Sequence, residues 1–430
     1  TSAADQSYKP PFLSVLKDIP LGPGKLSFGG SVRFRYEYQN HFNRKSYGRN
    51  TSDGFLLERV RLSAEYAVCS ELRGFLELQD AHVFWSDFDI EDFRGTSPDE
   101  NPLDLRQAFI EWKHMAGTPF GVKAGRQSIC YGDGRIWGPG EWGNVGRYFW
   151  DAVKILFDWK ALSFDALWAK RVRHESECWN FDDKHYDFDA YGVYATLKQL
   201  PIVLDLFFAA KNGDSRSPCG PKVTLHEERY TFGSRIDGKA LQHLDYGGTF
   251  AYQLGKWGKE DIRAYGWNAR LGYTFSLPLR PRIGVEFTYG SGDRDPYDHT
   301  HNTFDSVYGS RDRLYGRMNL ASWCNLEDWQ LTFGLKPFQG VNLKLDYHFF
   351  RLARSRDCWY YSPSKGLRRD LTGRSGRDLG QEVDLTLKMK LRDDIELISI
   401  GGLFFPGEFI ERTGPHRESQ WVAFQVLYSF

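Results

Sequence analysis

Hydrophobic and polar residues alternate strictly over many short stretches of this chain. From Ser31 to Tyr38, Val32, Phe34, Tyr36 and Tyr38 share one parity, while Arg33, Arg35 and Glu37 share the other. From Arg59 to Val68, Val60, Leu62, Ala64, Tyr66 and Val68 oppose Arg59, Arg61, Ser63 and Glu65. Leu72, Leu76 and Leu78 oppose Arg73, Glu77 and Gln79. At the end of the chain, Val422, Phe424, Val426, Tyr428 and Phe430 oppose Ala423, Gln425, Leu427 and Ser429. Period-two alternation of this kind marks strands with one apolar face and one charged face.

Further strand-like runs cover 120–130, 153–159, 162–171, 191–197, 202–210, 247–252, 266–275, 282–289, 329–335, 341–350, 382–390 and 395–404. In all, about 16 to 18 strands are predicted. At about 24 residues per strand and connection, eighteen would consume the chain. Residues 84–102, 174–185, 214–228, 290–311 and 355–377 read as longer loops, and 158–163 and 393–394 as hairpin turns. The Pro-rich opening, residues 1–28, is expected outside the wall, and 29–430 form one domain.

A soluble sandwich gives the same alternation, so other signals must choose. Aromatic residues gather at strand ends (Tyr36, Tyr38, Trp112, Tyr148, Phe149, Trp150), as in the two girdles of a membrane barrel. The closing strand ends on Phe430, which resembles the insertion signal of outer-membrane barrels. The fold expected is all-β: a transmembrane antiparallel up-and-down β-barrel of about 18 strands in the bacterial outer membrane. Composition agrees, with 16% aromatic residues and 43 Gly. A transmembrane helix needs about 18 apolar residues in a row; the best stretch, 201–210, is interrupted by Asp205. No leader is visible at Thr1, and export of a longer precursor is expected.

The chain carries 56 basic and 56 acidic residues. Zero net charge exerts no global pull on nucleic acid, which is not an expected partner. Local segregation matters more. An arginine facing lipid at mid-bilayer costs about 2–4 kcal/mol, so Arg33, Arg35, Arg59 and Arg61 are expected in the lumen, paired with Glu37, Glu65 and Glu77. Such a lining favours anions, unless it is a self-neutralising ladder. In 105–112, Gln107 and Glu111 share a parity with Phe109, but Arg106 shares one with Ile110 and Trp112. Parity leaves Arg106 unassigned.

Asp293, Asp295 and Asp298, followed by His299 and His301, offer carboxylates for Ca²⁺, or an ordinary turn with Asx caps. They are the weak candidates; no metal and no cofactor is expected. Six cysteines (Cys69, Cys130, Cys178, Cys219, Cys324, Cys358) show no CxxC spacing, and their pairing is open. No GxSxG, HExxH or Walker loop is present, and no catalysis is expected.

The last third resembles the alginate-export family of outer-membrane channels. The matching pieces are Asp378-Leu379-Gly380-Gln381-Glu382-Val383-Asp384-Leu385, Gly401-Gly402-Leu403-Phe404-Phe405-Pro406-Gly407-Glu408, and the closing strand to Phe430. Gly290 through Thr303-Phe304-Asp305 to Tyr315, Tyr347-His348-Phe349-Phe350-Arg351, Arg106-Gln107 before Trp112, and Gly125-Arg126-Gln127 extend the likeness upstream. The resemblance implies an 18-stranded monomeric barrel that passes an anionic exopolysaccharide passively through an Arg-rich constriction. It places Arg61 and Arg106 at constriction positions, and adds Arg126, Arg317 and Arg351 to the pore lining. The sequence departs from the family at Ile398-Ser399-Ile400 and at Ser128, where the alginate channel carries basic residues.

The function expected is a passive channel for an anionic polysaccharide or oligosaccharide, with pore-lining Arg33, Arg35, Arg59, Arg61, Glu65, Arg106, Arg126, Arg317 and Arg351. A general or small-solute porin is the alternative, and a carbohydrate-binding surface β protein the second. Expected partners are outer-membrane lipid, the transported anion or solute, and periplasmic export proteins.

Overall fold

The computed structural model describes residues 13, 15–93, 97–174, 186–219 and 223–430, with Tyr186 and Asp187 described by backbone only. Eighteen antiparallel strands form one closed wall. They are β1 (Gly24–Phe42), β2 (Tyr47–Ala67), β3 (Leu72–Phe84), β4 (Asn101–Trp112), β5 (Phe120–Gln127), β6 (Phe149–Asp158), β7 (Leu162–Val172), β8 (Tyr186–Leu197), β9 (Val203–Arg216), β10 (Thr224–Ala240), β11 (Leu244–Trp257), β12 (Glu260–Thr274), β13 (Arg282–Gly290), β14 (Leu326–Leu335), β15 (Val341–Leu352), β16 (Asp378–Lys390), β17 (Ile395–Pro406) and β18 (Ser419–Ser429). Each pairs with the next, and β18 closes on β1 from Ser31↔Ser429 to Asn40↔Gln420. Full closure leaves no unpaired edge in lipid. Of segment 1–28, residues 1–12 and 14 lie outside the described residues. Its described part includes the strand Ile19–Leu21, paired with β1, and β1 itself begins at Gly24.

The alternation sorts as the sequence requires. On β1, Arg33, Arg35 and Glu37 are buried inside, while Phe34, Tyr36 and Tyr38 face outward. On β18, Trp421, Ala423 and Gln425 are inside, and Phe424 and Val426 outside. Phe424 is 56% exposed on this outer face. Phe424→Arg should cost about 2–4 kcal/mol of barrel stability; denaturant titration in lipid vesicles measures it. A wall with an apolar exterior also removes the surface-attached carbohydrate-binding alternative.

One end of the wall has short connections (68–71, 159–161, 241–243, 391–394), the other long ones (128–148, 291–325, 353–377). Bacterial barrels keep short turns at the periplasm and long loops outside, which orients the chain. Residues 214–228, expected as a loop, belong mainly to strands: β9 runs to Arg216 and β10 starts at Thr224. The expected loop 174–185 lies, apart from His174, outside the described residues, as does Cys178.

Two long loops fold into the lumen rather than away from it. The first, residues 128–148, carries six glycines between Gly132 and Gly146. The second is 291–325. They meet in a short parallel bridge between Trp137 and Tyr308, with Gly138 N–H donating to Tyr308 O (3.0 Å) and Tyr308 N–H to Ile136 O (3.1 Å). Gly309 permits the approach: a Cβ there would lie 1.9 Å from Arg135 O. The Trp137 and Tyr308 rings pack at 4.3 Å, and Trp150, Phe304 and Trp323 complete a buried aromatic core inside the barrel. Tyr148, Phe149 and Trp150, expected in the outer girdle, are instead buried against this plug.

An extracellular disulfide joins Cys219 to Cys358, tying the β9–β10 loop to the β15–β16 loop. Among the described residues Cys69, Cys130 and Cys324 are free thiols.

Candidate functional site

Five luminal arginines from β1, β2 and β4 converge on the first inward loop. Glu141 accepts from Arg106 through Oε1 (2.8 Å) and pairs with Arg61 through Oε2 (2.8 Å), with Arg59 3.8 Å away. The loop carbonyls take up the rest. Arg59 Nη1 donates to Glu141 O (3.1 Å), Arg35 Nη1 to Trp142 O (2.6 Å), and Arg33 to the Asn144 side chain (2.8 Å). Asn144 is fully buried and donates onward to the carbonyls of Glu58, His82 and Asp99, which rivets the loop to the wall. Gly146 (φ +90°) is needed here, because a Cβ would press to 3.1 Å from Arg106 Nη2. Burial alone would raise the Glu141 carboxyl, but Arg106, Arg61 and Arg59 outweigh it and hold the group well below the usual carboxylate range.

Arg106 reaches the lumen through a β-bulge. Glu77 pairs with Gln107 and Leu78 with Leu105, so Arg106 is the extra residue. A bulge re-aims one side chain without moving the rest of the strand. Arg106 therefore points inward alongside Phe109 and Glu111, although simple parity separates them.

The second inward loop is held by charge of opposite sign. Arg317 and Met318 donate backbone N–H groups to Asp384 (2.9 Å) and Glu382 (2.8 Å) of β16. Asp346, Asp328 and His348 extend this acidic sector, with His348 3.0 Å from Asp328. The neutral chain thus carries a basic sector on β1, β2 and β4 and an acidic one on β14–β16, each clamping one loop.

Above the plug lies an extracellular cavity of about 910 Å³, lined among the described residues by eleven Lys/Arg, including Arg44, Arg147, Arg171, Arg311 and Arg317, against four Asp/Glu. Below it, at the periplasmic mouth, a cavity of about 590 Å³ is lined by six Lys/Arg, among them Arg270 and Arg282, and by Asp237 and Asp245. Both approaches are electropositive, which raises local anion concentration.

The other expected residues divide. Arg317 lines the extracellular cavity. Arg126 is buried and held by Asp151 (2.8 and 2.9 Å). Glu65 pairs with Arg73, away from the Glu141 cluster. Arg351 departs from expectation. It shares the outward parity of β15 with the exposed Leu345 and forms an ion pair with Glu327 (3.8 Å) on the outer rim, so it does not line the pore. Sequence reasoning missed Glu141, Trp142 and Asn144 altogether; the one available signal was the glycine density of 128–148.

Asp295 and Asp298 act as turn caps, accepting from Tyr297 N–H and Thr300 N–H. Among the described residues no three His, Cys, Asp or Glu gather as a metal set. Asp293 differs: burial, then Asp357 beside it, with Glu260, outweighs His301 and Arg369 and raises its carboxyl to about 6. Its folded pKa exceeds the unfolded value, so the protonated form stabilises the folded loop. That contribution is complete below about pH 4 and is lost as pH rises through 6. Amide exchange in 291–305 should slow as pH falls from 7 to 5, after correction for intrinsic rates, and Asp293→Asn should abolish the change.

A closed 18-stranded wall with an apolar exterior, a charged lumen and inward loops defines a passive outer-membrane channel. The profile of the alginate-export family matches residues 24–424, and the chain belongs to that family. It lies in the bacterial outer membrane. No curated protein matches it. Solved structures that share the fold include Pseudomonas aeruginosa OpdQ (TM-score 0.62, 11% identity, covering 94% of this chain and 97% of that one). Acinetobacter baumannii OccAB2 gives 0.61, 11%, 94% and 98%, and Pseudomonas aeruginosa OpdK, solved with vanillate, 0.58, 10%, 94% and 98%.

Proposed function

We propose that the channel conducts anionic saccharides whose uronate carboxylates replace Glu141 between Arg61 and Arg106. The observation that carries this reading is the Glu141 cluster itself: a carboxylate already sits where arginines from two strands converge, at the plug between two electropositive cavities. Arginine forks suit carboxylates, and repeated weak contacts let a polymer enter and leave. Family membership supports a polymeric cargo. Uronate oligomers of increasing length should block chloride current in planar bilayers with rising affinity, while neutral glucans of equal length should not. Equal block by neutral glucans contradicts the reading.

A second reading is uptake of a small anionic solute. It is favoured by the aromatic plug, which divides the lumen into two modest cavities. A monouronate that blocks as well as its polymer decides for it.

A further inference from the structure

The extracellular rim is asymmetric in charge, and one part of it faces lipid. Residues 351–377 hold seven Arg and one Lys against two Asp. Neither Asp neutralises this excess. Asp357 is buried and accepts from Asp293 N–H, Thr303 and Tyr360. Asp370 turns its carboxylate into its own turn, onto Thr372 and Ser375. At the outer surface Arg351 and Arg377 share the single carboxylate of Glu327. Asp378, next to Arg351 in register, is engaged by Gly380 N–H (2.9 Å). Arg356 and Arg374 are exposed and make no ion pair among the described residues.

The position of this patch identifies what meets it. Tyr289, Glu327 and Arg351 stand at one level on adjacent strands. Tyr289 and Tyr265 stack at 5.4 Å on the outward face as part of the extracellular aromatic belt, and Arg354 follows Arg351 by three residues on the same rim. Aromatic belts mark the headgroup level, so Arg351 stands at that level, with Arg356 and Arg374 exposed in the loop that follows it. The rim of β10 differs, with outward Glu228 beside His226. General solubility gives no reason for that contrast.

We propose that the outward rim of β14–β16, with Arg351, Arg354, Arg356 and Arg374, docks the phosphorylated glycolipid of the outer leaflet. Guanidinium forks bind phosphate bidentately and are weakly hydrated, which suits a site at the lipid boundary.

Native mass spectrometry of the full barrel in detergent tests this with diphosphorylated lipid A, the same lipid after phosphatase treatment, and a soluble polyuronate. The phosphorylated lipid should bind at least tenfold more tightly than the dephosphorylated one. Joint Arg351→Gln, Arg354→Gln, Arg356→Gln and Arg374→Gln should erase that difference, whereas Glu228→Gln should keep it. Channel conductance should be unchanged in both variants. Equal binding of the two lipids by the unaltered protein overturns the proposal without needing a variant. So does displacement of the lipid by polyuronate at equal charge, which assigns the rim to a free polymer.

Discussion

Glu141→Gln should widen the preference for chloride over potassium by fivefold or more and raise single-channel conductance. The carboxylate contributes one negative charge among five arginines and joins the Asn144 contacts in holding loop 128–148 to β2 and β4. A unit charge about 5 Å from a passing ion changes its energy by roughly 1–3 kcal/mol between aqueous and surface dielectric. Removing it exposes three guanidiniums to the permeating anion. Its side chain is 42% exposed, so each lost charge-assisted bond is worth about 1 kcal/mol rather than the fuller value of a dry site. The carbonyl contacts and the Asn144 rivet remain, so the loop stays tethered while becoming mobile. Glu141→Gln should therefore also add open-channel noise. An unchanged reversal potential would show that ions bypass this cluster.

Joint Arg61→Glu and Arg106→Glu should reverse the preference toward cations and weaken polyuronate block at least tenfold. Two positive charges leave the arginine cluster and two negative ones enter beside Glu141. The same Coulomb scale that gives a several-fold effect for one charge gives a reversal for this change. Arg351→Glu is the matched control. It makes a comparable change of charge on the outward face of β15, where it should leave selectivity untouched. Unaltered far-ultraviolet circular dichroism separates loss of selectivity from loss of the barrel.

Much of the wall was legible because lipid imposes its rule on every second residue. Phe424 and Val426 face lipid and Arg33 and Arg35 the lumen, as their parity requires. The strand β10 was missed because its upper end stands in water on both faces. There Glu227 and Arg229 point inward while His226 and Glu228 point outward, and no alternation survives. Arg106 defeated parity because one bulged residue shifts the phase of a strand. Arg351 is legible as an outward residue, because Leu345, Tyr347 and Phe349 share its parity, and only the family likeness points to the pore.

Of the candidate site, the sequence reached the arginines and not what they hold. Glu141 sits 80 residues beyond Arg61 in a loop whose inward course depends on Trp137 packing against Tyr308 across the lumen. Periodicity reports faces of strands, and a loop folded into a barrel has no period to read. The basic and acidic sectors were hidden for a related reason. Only β17 and β18 separate them in the closed wall, but β1 and β16 lie near opposite ends of the chain.

Reversal potential in a planar bilayer under a KCl gradient, before and after addition of polyuronate, tests the central claim most directly. A chloride-selective potential that polyuronate suppresses, and that Glu141→Gln strengthens, is the predicted result. A potential near zero, indifferent to polyuronate and to Glu141→Gln, would contradict an arginine-lined anion channel.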